Sequence, residues 1–142
     1  MATAQQSTTG STPGDHPPRR IDLEACARRV RVELGGRIVA DSARTVLLRE
    51  ENHPPVHYFP RDDVRMDLLA RTDHSTHCPY KGDASYWTAQ AGDRTAQNAV
   101  WSYERPIPAM AAIAGCLAFY RDRMDGWSEE DLPDEGAGRP AP

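Results

Sequence analysis

Residues 30–40 read Val-Arg-Val-Glu-Leu-Gly-Gly-Arg-Ile-Val-Ala, which is the pattern of a β-hairpin. Val30, Val32 and Leu34 alternate with charged side chains, as in a strand that buries one face. Gly35-Gly36 separates this run from a second apolar run. A two-residue link suits a type I′ turn, which needs positive φ at both positions and therefore favours glycine. This stretch predicts two antiparallel strands and a sheet-based domain.

Further strands and little helix are predicted on the C-terminal side of this hairpin. Short runs rich in β-branched and aromatic residues, bounded by turn-forming residues, are typical of strands. They occupy residues 45–48, 56–59, 84–89, 95–103 and 116–120, with a second hairpin around Ala91-Gly92-Asp93. A short, buried helix is predicted from Pro108 to a stop at Gly115, and a helical turn over residues 62–69 with Asp62 as its cap. The fold class is therefore mainly β: a compact antiparallel sheet or barrel with one or two short helices.

Composition and charge exclude several classes of protein. The 142 residues correspond to about one domain. With 17 basic and 21 acidic residues the net charge is −4, so no general basic field exists to hold nucleic acid or an anionic membrane. No apolar run reaches the roughly 18 residues that a spanning helix needs, and no signal-peptide pattern begins the sequence. Three widely spaced cysteines do not make a disulfide framework. We expect a soluble, cytoplasmic protein with no nucleic-acid or membrane partner.

The polar ends of the chain are expected to be tails. Residues 1–20 contain almost no apolar side chains, and residues 128–142 are acidic and then rich in glycine and proline. Such segments bury too little surface to offset the entropy lost on ordering. We therefore predict disordered tails at 1–20 and 128–142, with a single β-rich domain at 21–127.

Reactive side chains are densest in residues 73–83, which read Asp-His-Ser-Thr-His-Cys-Pro-Tyr-Lys-Gly-Asp. Pro79 and Gly82 favour an irregular loop here. Lys81 is the only lysine, whereas the other sixteen basic residues are arginine. An ammonium is compact and can lose its proton when desolvated, so a lone lysine indicates a task that guanidinium performs poorly. The alternative is an unspecialised surface lysine.

Cys78 and the nearby histidines suggest two other chemistries. Lys81 or His77 can stabilise a Cys78 thiolate, although a small buried side chain is the more common role of a cysteine. His74, His77 and Cys78 have atoms that zinc accepts, but no paired cysteines support such a site. We therefore predict neither a metal nor a cofactor. Standard phosphate-binding glycine loops are also absent from the sequence.

Aromatic residues form a second cluster along the predicted strands. They are Tyr58, Tyr80, Tyr86, Trp87, Trp101 and Tyr103. One interpretation is core and cross-strand packing. The other is an aromatic pocket for a flat small molecule, with the tyrosine hydroxyls as polar contacts.

Four segments together resemble a known family. They read Tyr58-Phe59-Pro60-Arg61-Asp62-Asp63-Val64-Arg65, Cys78-Pro79-Tyr80-Lys81-Gly82-Asp83-Ala84-Ser85-Tyr86, Trp101-Ser102-Tyr103-Glu104-Arg105-Pro106 and Leu117-Ala118-Phe119-Tyr120. In these segments the chain resembles the family called domain of unknown function 427, over residues 30–127. The resemblance implies a tent-like β fold, similar to methionine sulfoxide reductase B and to the drug-binding domain of cereblon. Those relatives commonly hold zinc through paired cysteines, which this chain lacks, so the zinc is not carried over.

These observations lead to a hypothesis of small-molecule binding beside Lys81 and Cys78. Tyr58, Tyr86, Trp101 and Tyr103 would form the floor of the pocket, and Cys78, Tyr80 and Lys81 its rim. Arg61 and Arg65 would clamp an anionic group of the unknown ligand. One alternative is a small enzyme in which Lys81 or Cys78 performs covalent or acid-base chemistry. Another is an interaction module, including a homodimer, that pairs through strand edges or the alanine-rich helix.

Overall fold

The computed structural model describes residues 19–132 of the chain. Within that range the chain forms ten strands and several short 3-10 helices. The strands are β1 (Ile21–Ala25), β2 (Arg28–Leu34), β3 (Arg37–Ser42), β4 (Val46–Glu50), β5 (Val56–Tyr58), β6 (Leu69–Cys78), β7 (Gly82–Ala91), β8 (Arg94–Ser102), β9 (Ala118–Phe119) and β10 (Gly126–Asp131). The prediction of a mainly β fold is confirmed. No helix among these residues has the length and apolar character needed to cross a membrane.

The strands form three antiparallel sheets. Their orders are β1-β4-β5, β10-β2-β3 and β6-β7-β8-β9. Phe59, directly after β5, exchanges two backbone hydrogen bonds with Leu117, at 2.8 and 2.9 Å, and thereby ties the first sheet to the third. The sheets of the described part of the chain do not close into a barrel.

Both predicted hairpins are present. In the β2-β3 hairpin, Leu34 pairs with Arg37. Gly35 and Gly36 both have positive φ, at 59° and 78°, as a type I′ turn requires. In the β7-β8 hairpin, Ala91 pairs with Arg94 across a two-residue turn. Local turn chemistry therefore predicted both hairpins correctly.

The predicted loop over residues 73–83 is wrong. Residues up to Cys78 continue β6, and only residues 79–81 form a turn before β7 begins at Gly82. Most side chains of β6 are exposed, and this strand lies at the edge of its sheet, where it pairs with β7. Polar side chains are common on edge strands because they discourage pairing with other chains, and a polar strand without apolar alternation reads as a loop.

The predicted start of a C-terminal tail at residue 128 is also wrong. Ser128 lies inside β10, and this strand continues to Asp131 along β2. Arg28 of β2 forms ion pairs with Glu129 and Asp131, at 3.6 and 3.2 Å. The backbone pairing and these compensating charges order an acidic segment that looks unstructured in isolation. Residues 1–18 and 133–142 lie outside the described residues, so the remainder of both tail predictions stays a prediction.

The predicted helices are present only as 3-10 turns. Residues 61–63 and 66–68 form two separate turns, and Pro60 rather than Asp62 precedes the first. The segment Pro108–Ile113 is a 3-10 helix that is interrupted at Met110. Met110 and Ile113 are buried while the alanines between them are exposed, so the expectation of an all-round buried helix is wrong. Six residues are too few to complete two turns of α-helix.

Two apolar clusters form the core, and the adjacent residues Tyr58 and Phe59 belong to different clusters. Phe59 packs with the β2-β3 hairpin and with β7 and β8. Tyr58 packs in the second cluster with Leu48, Tyr86 and Tyr103. Both side chains are almost completely buried. The Tyr58-Phe59 pair therefore connects the two halves of the core, and Tyr58 also lines a cavity.

Candidate functional site

A cavity of about 980 Å³ lies where the β1-β4-β5 sheet meets strands β7, β8 and β10. Five of the residues proposed from the sequence line it: Tyr58, Lys81, Tyr86, Trp101 and Tyr103. They come from β5, from the β6-β7 turn, from β7, and from the end of β8. The fold therefore brings together side chains that are up to 45 positions apart in the sequence.

Tyr58 lies at the centre of the aromatic lining. Its side chain is 2% exposed, and its hydroxyl accepts a hydrogen bond from Trp101 Nε1 at 3.2 Å. The rings of Tyr58 and Trp101 meet edge to face, with centroids 6.4 Å apart. Tyr103 lies at the same centroid distance from Tyr58. Burial raises the pKa of both tyrosines, so their hydroxyls stay protonated at neutral pH.

A second aromatic group continues this lining toward solvent. The Tyr120 ring lies 4.6 Å from the Trp101 ring, centroid to centroid. The Tyr86 hydroxyl lies 3.0 Å from Thr76 Oγ1 on the neighbouring strand β6. Burial, assisted by a hydrogen bond with Tyr86, raises the pKa of Tyr120 to about 12. Tyr120 was predicted as part of a strand but not as a site residue.

A buried ion pair lies in the wall of the cavity. Lys81 Nζ donates to Glu50 Oε1 at 2.6 Å, and Arg19 Nη1 contacts Glu50 Oε2 at 2.5 Å. The side chains of Lys81 and Glu50 are only 12% and 7% exposed. Burial pushes the pKa of Glu50 upward, but hydrogen bonds from Lys81 and Arg19 outweigh it and leave the pKa below its ordinary value. Lys81 is therefore no unspecialised surface lysine.

We expect Glu50→Gln to lower the free energy of unfolding at pH 7 by about 1–3 kcal/mol, because buried donors lose a charged acceptor. The stabilisation from the carboxylate is complete above its ordinary pKa of 4.5 and disappears as the pH falls through the lower folded-state value. The gap between wild type and variant should therefore close toward pH 3. Denaturant unfolding at pH 7, 5 and 3 measures it. A gap that is constant with pH would contradict the role of the charge.

The wall of the cavity also contains a histidine that the sequence reasoning did not select. His57 Nδ1 lies 2.9 Å from the buried Thr45 Oγ1, and His57 Nε2 lies 3.3 Å from Glu129 Oε2. Trp127 Nε1 donates to the same carboxylate oxygen at 3.0 Å. Burial lowers the pKa of His57 despite the opposing charge of Glu129. Both ring nitrogens are thus engaged, which favours a structural role for His57.

The other predicted site residues do not line the cavity. Arg61 contacts Glu104 and the Gly115 carbonyl oxygen, both at 3.3 Å. Arg65 is held by Asp67 at 2.8 Å on a different surface. The structure therefore does not bring these arginines to the cavity, because nearby acceptors already bind their guanidinium groups.

Cys78 and Tyr80 lie next to the cavity without lining it. The Cys78 side chain is half-buried and packs against the cluster that contains Tyr58 and Tyr103. The Arg19 guanidinium lies over the Tyr80 ring, 4.2 Å from its centroid. Cys78 ends β6 and Tyr80 lies in the following turn, so the chain reverses direction there and delivers Lys81 alone to the cavity.

The histidines of β6 are held by other contacts. His77 Nδ1 lies 2.7 Å from Asp83 Oδ1, and the His74 ring packs edge to face against Tyr86. Among residues 19–132 no group of three or more His, Cys, Asp or Glu side chains is arranged to hold a metal ion.

Glu50 is the site residue that the sequence could have revealed. In β4, Leu48 and Glu50 are buried while Arg49 between them is exposed. Side chains two residues apart in a strand share a face, so Glu50 lies on the same inner face as the buried Leu48. A buried carboxylate requires a partner, and that requirement points to Lys81 or an arginine.

Comparison with known proteins identifies the family of this chain. No curated protein matches the chain significantly. The family model described as Domain of unknown function (DUF427) matches residues 22–130. The match covers most of the chain and nearly all of the described strands, including those that line the cavity. The resemblance drawn from the sequence is therefore confirmed, and the chain belongs to the DUF427 family.

Proposed function

We propose that this domain binds a small planar molecule in the cavity beside Lys81. The supporting observation is the convergence of Trp101 and four tyrosines with a buried Lys81–Glu50 pair on one concave surface. Ligand pockets in proteins typically measure about 300–1,000 Å³ and combine an apolar lining with a few polar groups. The size and the residue types of this cavity agree with that description.

Binding accounts for the geometry better than covalent catalysis does. A lysine nucleophile must present an uncharged amine, whereas Lys81 forms a 2.6 Å ion pair with Glu50. Cys78 does not line the cavity. The ion pair instead provides a fixed polar group that can orient a ligand without reacting with it.

Interaction with another protein has weaker support. The large exposed apolar side chains of the described residues are Ile38, Ile107, Tyr120 and Leu132. They belong to separate segments, and single exposed apolar side chains are normal on a soluble surface.

The full-length chain offers a direct test because Lys81 is its only lysine. Labelling with [¹⁵N,¹³C]lysine gives one reporter residue at the cavity. The test is a screen of nucleobases, indoles, benzoates and other planar compounds for shifts of the Lys81 signals and of the thermal unfolding midpoint. We expect at least one compound class to shift both.

Trp101→Ala is expected to weaken the binding of such a compound about tenfold or more, because it removes a large aromatic surface from the cavity wall. Trp101 is only partly buried, so the variant should fold. Arg65→Ala lies away from the cavity and serves as the matched control. Equal affinity in Trp101→Ala and wild type, or a screen without any shift at Lys81, would overturn the proposal.

A further inference from the structure

We propose that the ligand of this cavity is a small aromatic carboxylate whose oxygen atoms contact Lys81 and Tyr103. This inference rests on the proposed function and adds the chemical class of the ligand. Two properties of the cavity carry it: hydrogen-bond donors that lack acceptors, and the sign of the charge around Lys81.

Lys81 has more donors than acceptors. An ammonium group carries three N–H bonds. Among residues 19–132, Glu50 Oε1 is the one hydrogen-bond acceptor of Lys81 Nζ. The side chain is 12% exposed and lines the cavity, so its remaining donors have little access to bulk water. A ligand oxygen would satisfy them.

The tyrosines add donors to the same cavity. Within the described range the Tyr103 hydroxyl has no hydrogen-bond partner, although the residue is only 7% exposed. The Tyr103 hydroxyl is not completely buried. Among the described residues, Ser102 Oγ is the one completely buried side-chain polar atom without a hydrogen-bond partner. The Tyr58 oxygen accepts from Trp101 and retains its own O–H to donate. Both hydroxyls stay protonated because burial raises their pKa. The cavity therefore favours a ligand rich in acceptor oxygens.

The charges around Lys81 favour an anion over a cation. Glu50 contributes one negative charge, whereas Lys81 and Arg19, both bound to it, contribute two positive charges; Arg19 binds Glu50 without itself lining the cavity. Aromatic walls alone would also suit an ammonium ligand through cation–π attraction. The excess positive charge opposes that choice and favours a carboxylate, which gains charge-assisted hydrogen bonds from Lys81.

The aromatic lining accommodates the rest of such a ligand. Trp101 stands edge to face with Tyr58 and also packs against Tyr120. Aromatic rings prefer these offset and edge-to-face arrangements, and a ligand ring can join the group in the same way. Lys81 and Trp101 line the same cavity, so a ligand whose carboxylate contacts Lys81 would extend its ring into this aromatic lining.

The test compares acids with amides of the same shape on the full-length, lysine-labelled protein. The probe pairs are benzoate and benzamide, phenylacetate and phenylacetamide, and indole-3-acetate and indole-3-acetamide. At pH 7 we expect at least one acid to bind about tenfold or more tightly than its amide, and to shift the Lys81 Nζ signal. Tyr103→Phe removes one hydroxyl without changing the shape of the cavity. It should reduce the preference for the acid while leaving the thermal midpoint of the unliganded protein unchanged.

The outcomes separate this inference from the proposed function. Equal binding of acids and amides, or tighter binding of the amides, would overturn the carboxylate while leaving a binding cavity. Unchanged acid preference in both Tyr103→Phe and Lys81→Met would also overturn it; in Lys81→Met, which has no lysine signal, the preference is measured by the shift of the thermal unfolding midpoint. If neither the probe pairs nor any other planar compound shifts Lys81, both proposals fail.

Discussion

Phe59→Ala is expected to lower the free energy of unfolding by about 3–5 kcal/mol, the usual cost of truncating a buried phenylalanine. Phe59 has no exposed surface, and its ring meets Phe119 and Trp127 edge to face, at centroid distances of 5.5 and 6.2 Å. Its backbone also joins two sheets through Leu117. A void at this position is surrounded by three sheets and cannot readily collapse. Urea denaturation followed by tryptophan fluorescence measures the loss.

Phe59→Leu is the matched control, because it keeps most of the apolar volume. We expect it to cost less than about 1.5 kcal/mol, as conservative apolar exchanges in a core usually do. The losses of unfolding free energy in the two variants should therefore differ clearly. Similar losses in both would show that the ring contacts matter more than the volume. A loss below about 1 kcal/mol in Phe59→Ala would contradict its position at the centre of the core.

Gly35→Ala is expected to destabilise the fold by about 3 kcal/mol or more, because backbone strain and steric overlap add together. Gly35 has φ of 59°, and an added Cβ would overlap the carbonyl oxygen of Ala91 at the tip of the β7-β8 hairpin. The two predicted hairpins thus touch at their turns, backbone against backbone. Neither backbone can move without disturbing its own turn.

Gly36→Ala separates the two causes of this loss. Gly36 also has positive φ, at 78°, but nothing lies within 4 Å of an added Cβ. Only the backbone strain remains, which costs about 1–2 kcal/mol. Chemical denaturation of both variants gives the difference. Equal losses of unfolding free energy in the two variants would mean that the steric overlap with Ala91 adds no cost in Gly35→Ala.

Several features of the fold were predictable because their cause is local. Residues 30–40 contain the alternation of a half-buried strand and the two glycines of its turn, so the hairpin follows from neighbours in sequence. The β7-β8 hairpin has the same kind of cause. In contrast, the acidic β10 is ordered by arginines of β2, about 100 positions earlier in the chain. No local property of residues 126–131 contains that information.

The candidate site shows the same division. Lys81 stood out by composition, and Tyr58, Trp101 and Tyr103 by their residue types. Arg61 and Arg65 had equally suitable chemistry, yet Glu104 and Asp67 hold them outside the cavity. Cys78 ends β6, and the turn that follows directs Lys81 toward the cavity. This turn depends on the pairing of β6 with β7.

The sequence by itself determined the mainly β class, the family, the two glycine-containing hairpins and the selection of Lys81, the only lysine, as a candidate site residue. These depend on residue type and on contacts between near neighbours, both of which are visible in a linear pattern. The tertiary structure alone decided that Glu50 is the partner of Lys81, that β10 completes a sheet, and that four tyrosines share one cavity. Those results depend on contacts between distant segments, whose free energy is defined only when the sheets have packed together.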